Sequence, residues 1–133
     1  MQQKEELMDE VEESVNNDVT ELIEKFGQNS DPQAVYGLFT STLPNIIGKG
    51  SDLEYDEVTG KAINRLKNHL DERYNDDQNS RNKILKLSHD FCDAKAKEIE
   101  NKLRLQQINP SEREQSQKLA DSYKLSANDL WCS

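Results

Sequence analysis

The sequence predicts an all-α fold, an elongated bundle of about five helices, two of them long. Apolar side chains recur at the spacing of one helix face in several segments of the chain. No segment alternates apolar and polar residues as a strand does, and no Asn-Gly or Asp-Gly pair marks a hairpin. The apolar stripes are narrow, so coiled-coil-like packing is one form that the bundle could take.

The composition limits the size of the hydrophobic core. The chain has 133 residues, of which 33% are hydrophobic and 32% are charged. An average globular domain has about 45–50% apolar and about 25% charged residues. The sequence therefore predicts either a thin bundle with narrow seams or a subunit that completes its core on a partner.

The first helix is predicted from about Gln3 to Phe26, with Gly27 as a left-handed stop. Its apolar positions follow one another at an average of about 3.6 residues, the helical period. They are Met8, Val11, Val15, Val19, Leu22 and Phe26.

The second helix is predicted to be short and to begin with Asp31 as N-cap and Pro32 in the first turn. Pro44 should end or kink it, since proline removes a helical hydrogen bond. The segment Gly48–Gly50 should be a flexible joint. Its two glycines do not predict a phosphate-binding loop, because the strand, the third glycine and the Lys-Ser/Thr ending are missing.

Capping signals place the remaining helices. Ser51 and Glu54 form a possible capping box for a third helix that reaches Tyr74, although Gly60 favours a later start near Thr59. Ser80 is predicted to cap the longest helix, from about Arg81 to Ile108. Its stripe comprises Leu85, Ser88, Cys92, Ala96, Ile99 and Leu103. The small residues in the middle of this stripe should let a neighbouring helix approach closely.

A fifth, weak helix should start at a second capping box, Ser111 to Glu114. The predicted organisation is a helical bundle over residues 1–108, followed by a short C-terminal helix and tail over residues 109–133.

Charge is distributed unevenly along the chain. Residues 1–59 contain 3 Lys or Arg and 14 Asp or Glu, whereas residues 60–104 contain 11 and 8. The net charge of −9 argues against direct nucleic-acid binding, which needs cations to neutralise phosphates. A basic protein partner is compatible with this pattern.

No arrangement of residues predicts an enzyme, a metal site or a cofactor. The nearest candidates are His69, His89 and Cys92, which could form a zinc site or a cysteine nucleophile only with further ligands or a suitable base. Cys92 belongs to the apolar stripe, and Asp90 and Asp93 would oppose a thiolate. A buried structural cysteine is the simpler interpretation.

Two apolar regions are predicted to bind a partner. The first is the second helix and the residues after it, where apolar density exceeds what one neighbouring helix can cover. It forms either the hydrophobic end of the bundle or the patch on which a second copy or another subunit closes. Its members are Val35, Tyr36, Phe39, Leu43, Ile46 and Ile47. The second is the C-terminal tail with Leu130 and Trp131, which either docks into a groove on a partner or folds back over the helical seam.

The first helix also carries nine acids between Glu5 and Glu24 on the face opposite its apolar stripe. This acidic face includes Glu6, Glu10 and Glu13. It is either a solubilising surface or a binding surface for a basic protein, including an array of charge that imitates DNA.

These patterns predict a non-catalytic protein-interaction protein, a subunit, adaptor or regulator that binds a protein partner or a second copy of itself. The alternative is an acidic inhibitor of a nucleic-acid-binding protein. The sequence has no secretory signal pattern, no membrane-spanning stretch and no disulfide framework. The expected location is therefore intracellular, in the cytoplasm or nucleus, without membrane contact.

Overall fold

The computed structural model describes the backbone of residues 2–28 and 31–131, and the side chains of residues 7–28 and 31–131. In this part of the chain five α-helices form one bundle, and there is no strand. The helices are α1 (Gln2–Gly27), α2 (Pro32–Gly50), α3 (Thr59–Arg73), α4 (Gln78–Arg104) and α5 (Arg113–Leu130). Two 3-10 turns, Tyr55–Glu57 and Pro110–Glu112, precede α3 and α5.

The predicted fold class is confirmed. The fold is an all-α bundle in which α1, with 26 residues, and α4, with 27, are the longest helices. The coiled-coil-like arrangement and the elongated shape stay predictions. None of the helices in the described ranges is long and apolar enough to cross a membrane.

The apolar stripe of α1 packs into the core as predicted. Val15, Val19, Leu22 and Phe26 are at most 1% exposed. The ring of Phe26 stacks on Phe39 of α2, with their centroids 5.7 Å apart. The predicted left-handed stop is wrong, because α1 includes Gly27 and no glycine in the described residues has a positive φ.

The predicted end of α2 at Pro44 is wrong, because the helix runs through Pro44 to Gly50. An interior proline costs about 3 kcal/mol or more. Leu43, Ile46 and Ile47 are completely buried around it, and burying each such side chain contributes about 1.5–3 kcal/mol. Tertiary packing therefore outweighs the local penalty and keeps residues 48–50 helical instead of forming a flexible joint.

The capping box predicted at Ser51 is also wrong, because Ser51 follows α2 and its hydroxyl donates to the carbonyl of Gly48 at 3.0 Å. The later of the two predicted starts for α3, near Thr59, is confirmed. Here α2 and α3 approach so closely that a Cβ on Gly50 would overlap with the hydroxyl of Thr59. A glycine at position 50 is thus required by the contact with the start of α3.

Helix α4 starts and ends earlier than predicted. Its N-cap is Asp77, whose carboxylate accepts from the backbone N–H of Ser80 at 3.1 Å. At the other end, Gln106 has a φ of 58°. The N–H groups of Gln106 and Gln107 donate to the carbonyls of Leu103 and Lys102 at 3.1 and 2.9 Å. These two bonds form a Schellman motif in which glutamine holds the position that glycine usually holds. The glycine signal for a helix end is therefore absent from the sequence here.

Helix α5 is longer than its few apolar residues predict, and it shows no side-chain cap at Glu112, so the capping box at Ser111 is wrong. Tyr123, Ala127 and Leu130 belong to the same core as the other helices. The most extensive helix–helix interface joins α4 and α5. The small residues predicted to allow close approach, Ser88, Cys92 and Ala96, are completely buried on α4.

The two glycines at the end of α2 give opposite predictions for stability. Gly50→Ala should lower the free energy of unfolding by about 1–3 kcal/mol, because the new methyl group meets the buried Thr59 side chain. The matched change Gly48→Ala meets no atom within 4 Å, and it should raise the free energy of unfolding by about 0.5–1 kcal/mol through better helix propensity. Urea unfolding followed by circular dichroism measures both. A Thr59→Ala background should remove the penalty at Gly50, and equal effects of the two alanines would contradict this account.

Candidate functional site

Six of the eight residues predicted to bind a partner lie inside the chain's own core. Each of them is at most 1% exposed: Val35, Phe39, Leu43, Ile46, Ile47 and Leu130. In this fold their side chains are therefore not available to another protein. The helical pattern identified them as buried, but a pattern does not distinguish burial against the same chain from burial against a partner.

The other two predicted residues, Tyr36 and Trp131, are half-buried. Tyr36 lines a narrow cleft of about 20 Å³ between α2 and α4, together with Pro32, Lys83 and Leu87. A space of this size holds about one water molecule. Trp131 packs against the core, which agrees with the predicted alternative that the tail folds back over the seam.

The predicted acidic face of α1 is at the surface where the structure describes it. Glu10 and Glu13 are exposed, whereas the side chain of Glu6 lies outside the described residues. No ion pair forms at Glu10 or Glu13 among the side chains that the structure describes. Both carboxylates are therefore exposed without a cation partner among these side chains.

Carboxylates in the two halves of the chain differ in their pairing. Between residues 71 and 124 five of the eleven carboxylates form ion pairs, such as Asp93 with Lys97 at 3.0 Å and Glu100 with Lys124 at 2.5 Å. Between residues 7 and 57 the structure pairs only Asp18 and Glu21 among the described carboxylates. The exposed acids of that segment without a cation partner in the described chain are Asp9, Glu10, Glu13, Glu24, Asp31, Asp52, Glu54, Asp56 and Glu57.

Two hollows adjoin the segment that links α2 to α3. The larger, which we call the α5 hollow, has a volume of about 450 Å³ and lies between this segment and α5. Its lining consists of residues 51–55 with Lys118, Asp121, Ser122 and Leu125. The smaller, the α1 hollow, measures about 210 Å³ and is lined by Met8, residues 52–54 and Glu57. The two share Asp52, Leu53 and Glu54, so they form one continuous region around Leu53.

A hydrogen bond holds the segment that links α2 to α3 against α5. The phenol of Tyr55 donates to the carboxylate of Asp129 at 2.7 Å. Burial, together with this carboxylate, raises the pKa of Tyr55 above its ordinary value. Gly60 also lies against the Tyr55 ring, where an added Cβ would come within 3.0 Å of a ring carbon. The position of Tyr55 is thus determined from two sides.

The residues that could have carried chemistry have structural roles. Burial raises the pKa of the Cys92 thiol to about 12, which disfavours the reactive thiolate. His89 donates from Nδ1 to the carbonyl of Ala127 at 2.7 Å and thereby joins α4 to α5. His69 stacks on Phe26 with centroids 5.7 Å apart, and burial lowers its pKa. The described residues contain no cluster of three or more potential metal ligands.

No known protein family, curated protein or solved structure matches the chain. The features that point to function are therefore the unpaired carboxylates between residues 7 and 57 and the two hollows around Leu53. Of these, the sequence predicted the acids of α1. It did not predict Leu53, Leu125 or Asp121 as surface residues of one site. The sequence does indicate that Leu125 is exposed, because this residue lies off the apolar face of α5 formed by Tyr123, Ala127 and Leu130.

Replacing Tyr55 by phenylalanine should weaken the contact between the linking segment and α5. We expect Tyr55→Phe to lower the free energy of unfolding by about 1–2 kcal/mol, because the half-buried carboxylate of Asp129 loses its donor. Tyr36→Phe is the control, since the structure shows no hydrogen bond from the Tyr36 hydroxyl within the described chain, and it should change stability by less than about 0.5 kcal/mol. Urea unfolding measures both.

The pH dependence of the same pair provides a second readout. Since the folded state raises the pKa of Tyr55, the stability that it contributes is complete below the unfolded tyrosine pKa of about 10 and is lost above it. Wild-type stability should therefore fall more steeply above that pH than the stability of Tyr55→Phe. Parallel pH profiles would contradict the role assigned to this phenol.

Cys92 should be unreactive in the folded protein. In a Cys132→Ser background, which leaves one thiol, a disulfide reagent at mildly alkaline pH should modify the native chain at least about 100-fold more slowly than the chain in concentrated guanidinium chloride. The reason is that Cys92 has no exposed surface and a raised pKa. Rapid native modification would restore it as a candidate nucleophile.

Proposed function

We propose that this chain is a non-catalytic protein-interaction protein that binds a basic partner through the acidic surface of residues 7–57. The observation that carries this proposal is the difference in charge pairing. Five of the twelve acids after residue 70 have a lysine or arginine partner within the described chain, as Asp93 and Glu100 do. Of the twelve described acids before residue 58 only Asp18 and Glu21 have such a partner, and Glu10 and Glu13 have none among the described side chains.

Electrostatic repulsion between the acids of this surface supports a binding role for it. Like charges one turn apart on a helix destabilise it by a few tenths of a kcal/mol each, roughly 0.2–0.5. Glu10 and Glu13 are such a pair. A basic partner replaces this repulsion by attraction, and the negative potential also speeds its association.

The closed core favours this surface over the apolar one predicted from the sequence. Phe39, Ile46 and the other buried members of that set are covered by the chain's own helices. An acidic inhibitor that imitates nucleic acid is the special case in which the basic surface of the partner is its nucleic-acid-binding site.

A random peptide display library selected on the immobilised protein tests the proposal. Enriched peptides should carry an excess of lysine and arginine, and the affinity of a representative peptide should fall as salt rises. Glu10→Lys with Glu13→Lys should weaken that peptide about 3- to 10-fold, a loss of about 0.7–1.4 kcal/mol.

The control makes the same change in net charge where the acids are already paired. Glu98→Lys with Glu100→Lys alters the neighbours of Lys102 and Lys124 instead of the unpaired surface. It should weaken the peptide by less than about 2-fold. Enrichment of acidic or neutral peptides, or equal losses in the two double variants, would overturn the proposed function.

A further inference from the structure

We propose that the α5 hollow seats a large apolar side chain from a lysine- or arginine-rich segment of the partner. This inference rests on the proposed function, and it names the site at which the basic partner is anchored. The two claims are separable, because a basic peptide could bind elsewhere on the acidic surface.

Two leucines, Leu53 and Leu125, give the otherwise largely polar lining of the α5 hollow an apolar contact for an anchor. Leu125 is 46% exposed on α5 and faces the linking segment across the hollow. Leu53, which packs against the core, belongs to the opposite wall. At about 450 Å³ the hollow, which opens to solvent, has room for one large side chain. An aromatic or long aliphatic side chain placed there would cover the exposed part of Leu125.

The charges around the α5 hollow define what must flank that anchor. Asp52, Glu54 and Asp121 lie in its lining, and Glu57 lies in the adjoining α1 hollow. The one cation in the lining, Lys118, is itself 3.9 Å from Glu114 on the same helix. The region is therefore net negative, and cationic residues on either side of the anchor match it.

The hollow is preorganised for binding. The bond from Tyr55 to Asp129 holds one end of the linking segment to α5. At the other end, the N–H of Leu53 donates to the carbonyl of Gly50 at 3.0 Å. A wall that is already ordered loses little conformational entropy when a ligand binds.

The same charges disfavour other occupants. A second copy of the chain related by a two-fold axis would place this patch against itself. Asp52, Glu54 and Asp121 would then face their own equivalents, which is repulsive. Nucleic acid and acidic peptides are repelled for the same reason, so a basic protein segment is the occupant that the lining favours.

A pair of fluorescein-labelled peptides tests the anchor. The first carries one tryptophan flanked by three lysines on each side, and the second has alanine in place of the tryptophan. Fluorescence anisotropy with the full chain measures the affinity of both. We expect Leu125→Gln to weaken the tryptophan peptide about 10-fold and the alanine peptide less than about 2-fold.

Matched variants identify the site. Leu105 is 52% exposed and lies outside both hollows, so Leu105→Gln should leave both affinities within about 2-fold of wild type. Glu54→Lys with Glu57→Lys should weaken both peptides, and by more than Glu10→Lys with Glu13→Lys does. Circular dichroism of each variant confirms that the helices are retained.

Each outcome bears on one of the two claims. Tight binding of both peptides that responds to Glu10 and Glu13 but not to Leu125 overturns the anchor and leaves the proposed function standing. No binding of either lysine peptide, together with a neutral or acidic display consensus, overturns the proposed function itself. Self-association of the chain that is abolished by Leu125→Gln would assign the hollow to a second copy and contradict the inference.

Discussion

The packing of α5 against α4 is the contact on which the rest of the structure depends. Small residues on α4, including Ser88, Cys92 and Ala96, are completely buried, and His89 joins the two helices through the carbonyl of Ala127. Because α5 is held in this position, Asp129 meets Tyr55 and Leu125 lies beside the linking segment. The candidate site therefore exists only because the C-terminal helix completes the core, although few of its own residues are apolar.

Helix existence could be predicted from the sequence, whereas several helix ends could not. The periodic stripe of α1 is a local property, so it identified Val15 to Phe26 as buried. Pro44 and Gly50 have the opposite character. Their local preferences favour a break, but the burial of Ile46 and Ile47 keeps the helix intact. The close approach of Thr59 explains why position 50 is a glycine. The end of α4 at Gln106 depends on a left-handed residue that is not glycine, which composition does not reveal.

The candidate site divides in the same way between local and long-range information. The excess of acids before residue 60 is visible in the sequence, and so is the position of Leu125 off its helical face. The pairing of Glu98 with Lys102 is also local, since the two lie one turn apart on α4. The pairing of Glu100 with Lys124 is decided by packing, which brings α4 and α5 together. The meeting of Asp52 with Asp121 across a hollow joins residues far apart in the chain, and a single sequence contains no signal for it.

Stability and binding are linked, because a bound partner adds free energy to a fold that contains destabilising features. The buried hydroxyls of Thr59 and Ser88 have no hydrogen-bond partner in the described chain, and each such group costs about 1–3 kcal/mol. Mutual repulsion of the unpaired acids adds to this cost. A basic partner at 100 times its dissociation constant would contribute about 2.7 kcal/mol to the folded state. Added salt acts in two opposite directions, because it screens the repulsion within the free chain and also screens the attraction to the partner. Added salt should therefore raise the free energy of unfolding of the free protein and weaken the complex. An apolar interface would not produce this reversal.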